Sequence, residues 1–136
     1  MRVIAVVSPL GGSGRTTMVT HLASIGARQG QHTLAVELCA QNLLGIHLGM
    51  PRPASQGWAA LAATGSWWAD GSFDNTDGVC VLPFGPAAPE TITTLHQLLA
   101  AHPQWLQDQL ELLDVPEDCT IPVSYTHLTL PTICSV

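Results

Sequence analysis

Lysine is absent from this sequence; its four basic residues are all arginines, set against ten acids for a formal net charge of −6. A chain so poor in cations has no basic face to neutralise a phosphate backbone, which argues against nonspecific nucleic-acid binding. Charged residues of either sign make up only 10% of the chain and apolar residues 46%, so most of it is destined for burial. A length of 136 residues suffices for one domain with a core of moderate size. No window of about 18 apolar residues suggests a membrane span, and no direct membrane insertion is expected. Nor does the start read as a signal peptide, since a single Arg2 precedes a short β-like run and then glycines. Cys39, Cys80, Cys119 and Cys134 form no C-x-x-C pair, so zinc is not indicated and reduced cytoplasmic thiols are the plain reading. His96 and His102 are spaced for neither one helical face nor a usual metal site.

What the chain does have is concentrated in Ser8 to Thr17, SPLGGSGRTT. The segment follows an apolar run, Val3 to Val7, and leads into an amphipathic stretch beginning near Thr16. Strand, glycine-rich turn and helix start, in that order, make a phosphate site. The glycines let backbone N–H groups point into the turn, and the helix dipole favours an anion there. The candidate cradle is Gly11, Gly12, Ser13, Gly14, Arg15, Thr16 and Thr17. It departs from the standard G-x-x-x-x-G-K-[ST] loop, with Pro9 at the first glycine and Arg15 at the lysine. The competing reading is a tight turn that needs glycine for its backbone angles alone, with Thr16 and Thr17 as helix caps.

The pattern around this loop is α/β. Residues 2–8 are apolar without alternation, as in a parallel strand covered on both faces. Met18, Val19, Leu22, Ala23 and Ile25 recur at helical spacing up to Gln29, and Gly30 makes a natural stop. Thr33 to Leu38 is a second strand, which completes a βαβ unit and the start of a doubly wound fold. Further on, short helices are expected over Asn42–Leu48 and Gln56–Ala63, loops from Gly65 to Gly78, and a strand over Val79–Pro83. Helices are expected over Glu90–Ala101 and again from Pro103. Trp58, Trp67 and Trp68 cluster outside the strands, as core packing or as anchors for a partner.

Leu110 to Pro116 ends in D-x-P and imitates the strand that carries the second acid of a nucleotide-hydrolysing site. Trp105, Leu106, Leu110 and Leu113 share a helical stripe, however, and β-branched residues are missing, so helix is the reading. The second-acid strand would then begin near Cys119–Ile121. It is not expected to continue, because from Pro122 the chain reads PVSYTHLTLPTICSV, with neither acid nor base. This tail resembles a translated adapter sequence. Residues 1–121 are thus expected to be the N-terminal part of a nucleotide-binding domain and 122–136 a non-native tail, leaving a sheet edge exposed.

Gly11-Gly12-Ser13-Gly14-Arg15-Thr16-Thr17 resembles the deviant phosphate loop, K-G-G-x-G-K-[ST]-[ST], of the ParA/MinD-like ATPases. Within that superfamily the chain is most similar to the BcsQ family of cellulose-biosynthesis proteins. The likeness is carried also by Cys39-Ala40-Gln41-Asn42-Leu43-Leu44, Gln56-Gly57-Trp58-Ala59 and Leu82-Pro83-Phe84-Gly85. It implies a truncated P-loop NTPase-like fold, a parallel sheet between helix layers (α/β/α). It implies ATP and Mg²⁺ as ligands, with Thr16 and Glu37 on the metal side, and a cytoplasmic homodimer that helps assemble or localise the subunits of the cellulose synthase complex. The departures bear on catalysis. Leu10 stands at the signature lysine, which reaches across the dimer, and Arg15 at the phosphate lysine. Cys39 stands at the acid that positions water. One such contact is often worth about 10²–10³ in rate, so a weak or inactive hydrolase is expected. No residue is assigned as catalytic. The alternative is a degenerate ParA-like scaffold without nucleotide turnover.

Overall fold

The computed structural model describes residues 2–8, 15–38, 44–49, 57–76, 78–113, 115–116 and 118–126. Five strands make one sheet: β1 (Arg2–Ser8), β2 (Thr33–Glu37), β3 (Phe73–Asp74), β4 (Val79–Leu82) and β5 (Thr120–Thr126), in the order β1-β5-β2-β4-β3. All pairings are parallel except β3 with β4. The helices are α1 (Arg15–Arg28), α2 (Leu44–His47), α3 (Trp58–Ala63), α4 (Pro89–Ala101) and α5 (Trp105–Glu111), with a 3₁₀ turn at Trp68–Gly71.

Alternation along the buried strands divides the core in two. Ala35, Val79 and Val81 pack with Val19 and Ala23 of α1 and with Leu44 of α2. Leu34, Val36, Leu82, Ile121 and Val123 pack on the other face with Trp58 of α3, Trp68, Leu95 of α4, and Leu106 and Leu110 of α5. This is the three-layer α/β/α arrangement expected from the βαβ pattern, and β2 is buried along its whole length as a central strand should be.

The sheet corrects three expectations. It is mixed rather than purely parallel, because Phe73–Asp74, inside a stretch read as loop, forms the antiparallel edge strand β3. The second helix beyond Glu90 starts at Trp105 rather than Pro103, since Pro103 and Gln104 form a turn. The third correction is larger. The strand at Thr120 does continue, through Pro122 to Thr126, and it occupies the slot between β1 and β2. β5 is therefore paired on both sides, and β1 is the edge strand at that end of the sheet.

Pro122 lies inside this strand although proline has no N–H and is rare inside a sheet. Its effect is visible in the ladder. Thr120 N–H donates to His32 O (2.9 Å), so by alternation the next donor toward β2 would be residue 122. Pairing with β2 is recorded at Thr120, Val123 and Ser124 and lapses at Ile121 and Pro122, whereas pairing with β1 is unbroken from Arg2↔Thr120 to Ser8↔Thr126. The helix reading of the segment before it holds, as α5 ends at Glu111 ahead of Val115–Pro116.

Gly26 and Gly57 are among the described glycines that permit close approach. A Cβ on Gly26 of α1 would lie 2.8 Å from Thr33 Oγ1, so this glycine lets the helix settle on β2. Gly57 precedes α3 with an extended backbone (φ −162°), and a Cβ there would fall on the backbone of Phe84 and Gly85. The chain after β4 therefore lies directly against the start of α3, where Trp58 N–H donates to Pro83 O at 3.0 Å and Ala59 N–H to Phe84 O at 3.3 Å. Backbone cannot retreat as a side chain can. Gly57→Ala should thus cost about 3 kcal/mol, the upper range for an overpacked interior. Chemical denaturation would measure the loss, with no comparable change expected for a substitution of exposed Ser66.

Candidate functional site

The glycine-rich segment joins the carboxyl end of β1 to the start of α1. Arg15 opens α1, and Thr16 and Thr17 continue its first turn. Gly11, Gly12, Ser13 and Gly14 lie outside the described residues, as do Leu10 and Cys39. α1 is 14 residues long, has no acid in its first turn and ends on Arg28. The positive end of its dipole is thus unneutralised by its own side chains, at the edge of the sheet where the parallel strands end. That combination suits an anion.

Glu37, the last residue of β2, is placed at the same edge. It is only 1% exposed, and alternation puts its side chain on the α1/α2 face with Thr33 and Ala35. A buried carboxylate needs partners to stay in its charged form. Leu44 N–H, at the start of α2, supplies one by donating to Glu37 Oε2 at 3.2 Å. In register beside Glu37 is Ser124 of β5, also fully buried, whose backbone oxygen accepts from Leu38 N–H at 2.8 Å. Sequence reasoning missed Ser124, because it lies in the segment set aside as foreign.

The backbone of Glu37 is held from the opposite layer. Trp58 Nε1–H donates to Glu37 O at 2.6 Å, across the carboxyl end of the sheet. The three sequence passages around Glu37, Trp58 and Phe84 therefore meet at one place. Trp58 is also the hub of an aromatic cluster. It stacks on Trp105 with centroids 5.9 Å apart and meets Phe84 and Trp68 edge-on at 5.4 and 6.2 Å. Of the tryptophans singled out from the sequence, Trp58 and Trp68 are core, while Trp67 is 40% exposed and touches Trp68 edge-on. Trp68 differs from Trp58 in one respect, as its buried Nε1 has no hydrogen-bond partner among the described residues.

No group of three or more potential metal ligands occurs among the described residues. His102 pairs with Asp108 at 2.8 Å on the surface. Cys80 and Cys119 are free thiols, and burial raises the pKa of each above the ordinary value, with Asp74 adding to the effect at Cys80.

The two core tryptophans give a matched test. Trp58→Phe and Trp68→Phe remove similar volume, but only the first breaks a hydrogen bond and leaves a buried carbonyl short of its donor. Trp58→Phe should be the more destabilising by about 1 kcal/mol, measured by denaturant midpoint. The thiols give a pH test. A raised pKa in the folded state keeps each thiol protonated to higher pH. Alkylation of Cys80 and Cys119 at pH 8–9 should therefore run slower folded than unfolded, and this contribution to stability should fall as pH rises past the unfolded thiol pKa.

Comparison with known proteins follows the same lines. The chain is 29% identical to the cellulose biosynthesis protein BcsQ of Escherichia coli (strain K12), over 88% of this chain and 52% of that protein. It thus spans about half the length of the curated relative. Its fold is similar to cobyrinic acid a,c-diamide synthase from Mycobacterium smegmatis, crystallised with ADP and magnesium, at a TM-score of 0.74 and 22% identity over 93% of this chain and 51% of that one. It is similar also to the septum site-determining protein MinD from Pyrococcus horikoshii OT3, complexed with Mg-ADP, at a TM-score of 0.68 and 24% identity over 89% and 47%. The architecture is that of the ParA/MinD-like P-loop ATPases. The family model described as cellulose biosynthesis protein BcsQ matches residues 1–119, and the chain belongs to that family.

Proposed function

We propose that this chain is the nucleotide-binding part of an accessory protein of bacterial cellulose biosynthesis, and that ATP with Mg²⁺ binds where β1 hands over to α1. The observation that carries the reading is that α1 begins, with no acid in its first turn, at the edge of the sheet where Glu37 is buried at the end of β2. Bound magnesium would shield the phosphate charges. The residues fitted to hold the pair are the backbone N–H groups of Gly11 through Arg15, the Arg15 guanidinium and the Thr16 hydroxyl, with Glu37 on the metal side. Support comes from relatives of the same fold that were crystallised with ADP or an ATP analogue and magnesium.

The nucleotide acts as a switch rather than as fuel. Leu10 and Arg15 replace the two lysines, and Cys39 replaces a carboxylate, so binding outlasts turnover. Nucleotide-dependent homodimerisation in the cytoplasm would then present a surface to the subunits of the cellulose synthase complex. The second reading, a scaffold that has lost the nucleotide, is favoured by the same three positions.

Calorimetric titration of Mg·ATP and Mg·ADP into the 136-residue chain decides between them. Saturable binding is expected, weakened at least about tenfold by Arg15→Ala, and with its magnesium dependence reduced by Thr16→Ala. Hydrolysis should stay near background. A folded chain that binds neither nucleotide at millimolar concentration would establish the scaffold reading instead.

A further inference from the structure

At the opposite edge of the sheet, where β2, β4 and β5 begin, a half-open cavity of about 280 Å³ lies between the sheet, the 3₁₀ turn and the connection from α5 to β5. It has room for a ring system, since an enclosed apolar cavity of roughly 150 Å³ already accepts benzene. The walls are mainly apolar, with Leu34, Leu82, Leu113 and Val115 among the lining residues. One side is polar. Ser72 and Asp74 line it together with Cys80, and Asp74 is the register partner of Cys80, so the two side chains share a face.

The charges at the cavity are few and their partners are known. His32 at the start of β2 faces Asp118, 3.3 Å away, on the exposed rim. Cys80 and Cys119 both line the space, and burial favours their neutral forms. Asp74 is thus the carboxylate left facing the cavity among its described lining residues. Mainly apolar walls and, among the described lining residues, the one carboxylate of Asp74 define a ligand by complementarity. We propose that this cavity binds a small arylalkylamine, one or two fused rings with a cationic amine, its ring against Leu34, Leu82 and Leu113 and its amine at Asp74.

This site shares no residue with the nucleotide cradle and does not depend on it. Tryptamine and indole-3-acetate, one ring system with opposite charges, are suitable probes for NMR titration of the ¹⁵N-labelled full chain. Tryptamine should shift the amides of Thr33, Cys80 and Cys119 saturably and slow alkylation of Cys80. Indole-3-acetate should bind about tenfold more weakly, the difference one charge contact makes. Asp74 is exposed, so Asp74→Asn should leave the fold intact; it should bring the two affinities together and leave ATP affinity unchanged. No saturable shift at millimolar tryptamine, or a preference for the amine that survives Asp74→Asn, would overturn the proposal. Loss of ATP binding in the unmodified chain would bear on the nucleotide reading alone.

Discussion

The hydrogen bond from the Trp58 indole to the Glu37 carbonyl ties the opening of α3 to the end of the central strand. It runs from α3, in one helix layer, to the end of the central strand whose carboxylate serves the other layer. Its geometry depends on Gly57, which lets the start of α3 lie against the backbone after β4. It depends also on the aromatic packing of Phe84, Trp68 and Trp105, which fixes the plane of the indole. A buried hydrogen bond of this kind adds only about 1 kcal/mol net. Its larger role is specificity, since the buried indole N–H of Trp58 is satisfied only where α3 meets the end of β2.

That arrangement explains why motifs far apart in the chain matter together. The passage after β2, the one opening α3 and the one after β4 are separate in sequence, and each is ordinary alone. Folding brings the opening of α3 against both others, with its backbone bonded to Pro83 and Phe84 and its indole to Glu37 O, at the carboxyl edge of the sheet. The same edge receives the start of α1, so that helix start, the carboxylate and the indole belong to one end of the molecule. The amino edge, with its cavity and two protonated thiols, is chemically distinct. The opposition follows from parallel strands, which place all their ends of one kind together.

The α/β pattern, the boundaries of α1 and α4 and the buried character of β2 were legible from periodicity, because burial on both faces leaves an apolar run and burial on one helix face leaves a stripe. The family was legible from the glycine loop and three short passages, and Glu37 from its place at a strand end. Phe73–Asp74 was not legible as a strand, since two residues carry no period. β5 was not read as a strand because its residues carry no charged group and resemble an adapter sequence, and the gain from pairing with β1 along seven residues is a tertiary term. Ser124 was lost with it.

The sequence by itself determined the β1-α1-β2 order at its start and the residue types between β1 and α1, which are glycines, an arginine and two threonines with no lysine. These are properties of residue type and spacing, which local physics can read. Only the tertiary structure decided which strand fills the slot between β1 and β2, which of the neighbouring Trp67 and Trp68 is core, and where the carbonyl of Glu37 finds its donor. Each of those depends on groups distant in the chain meeting in space, and no local pattern encodes such a meeting.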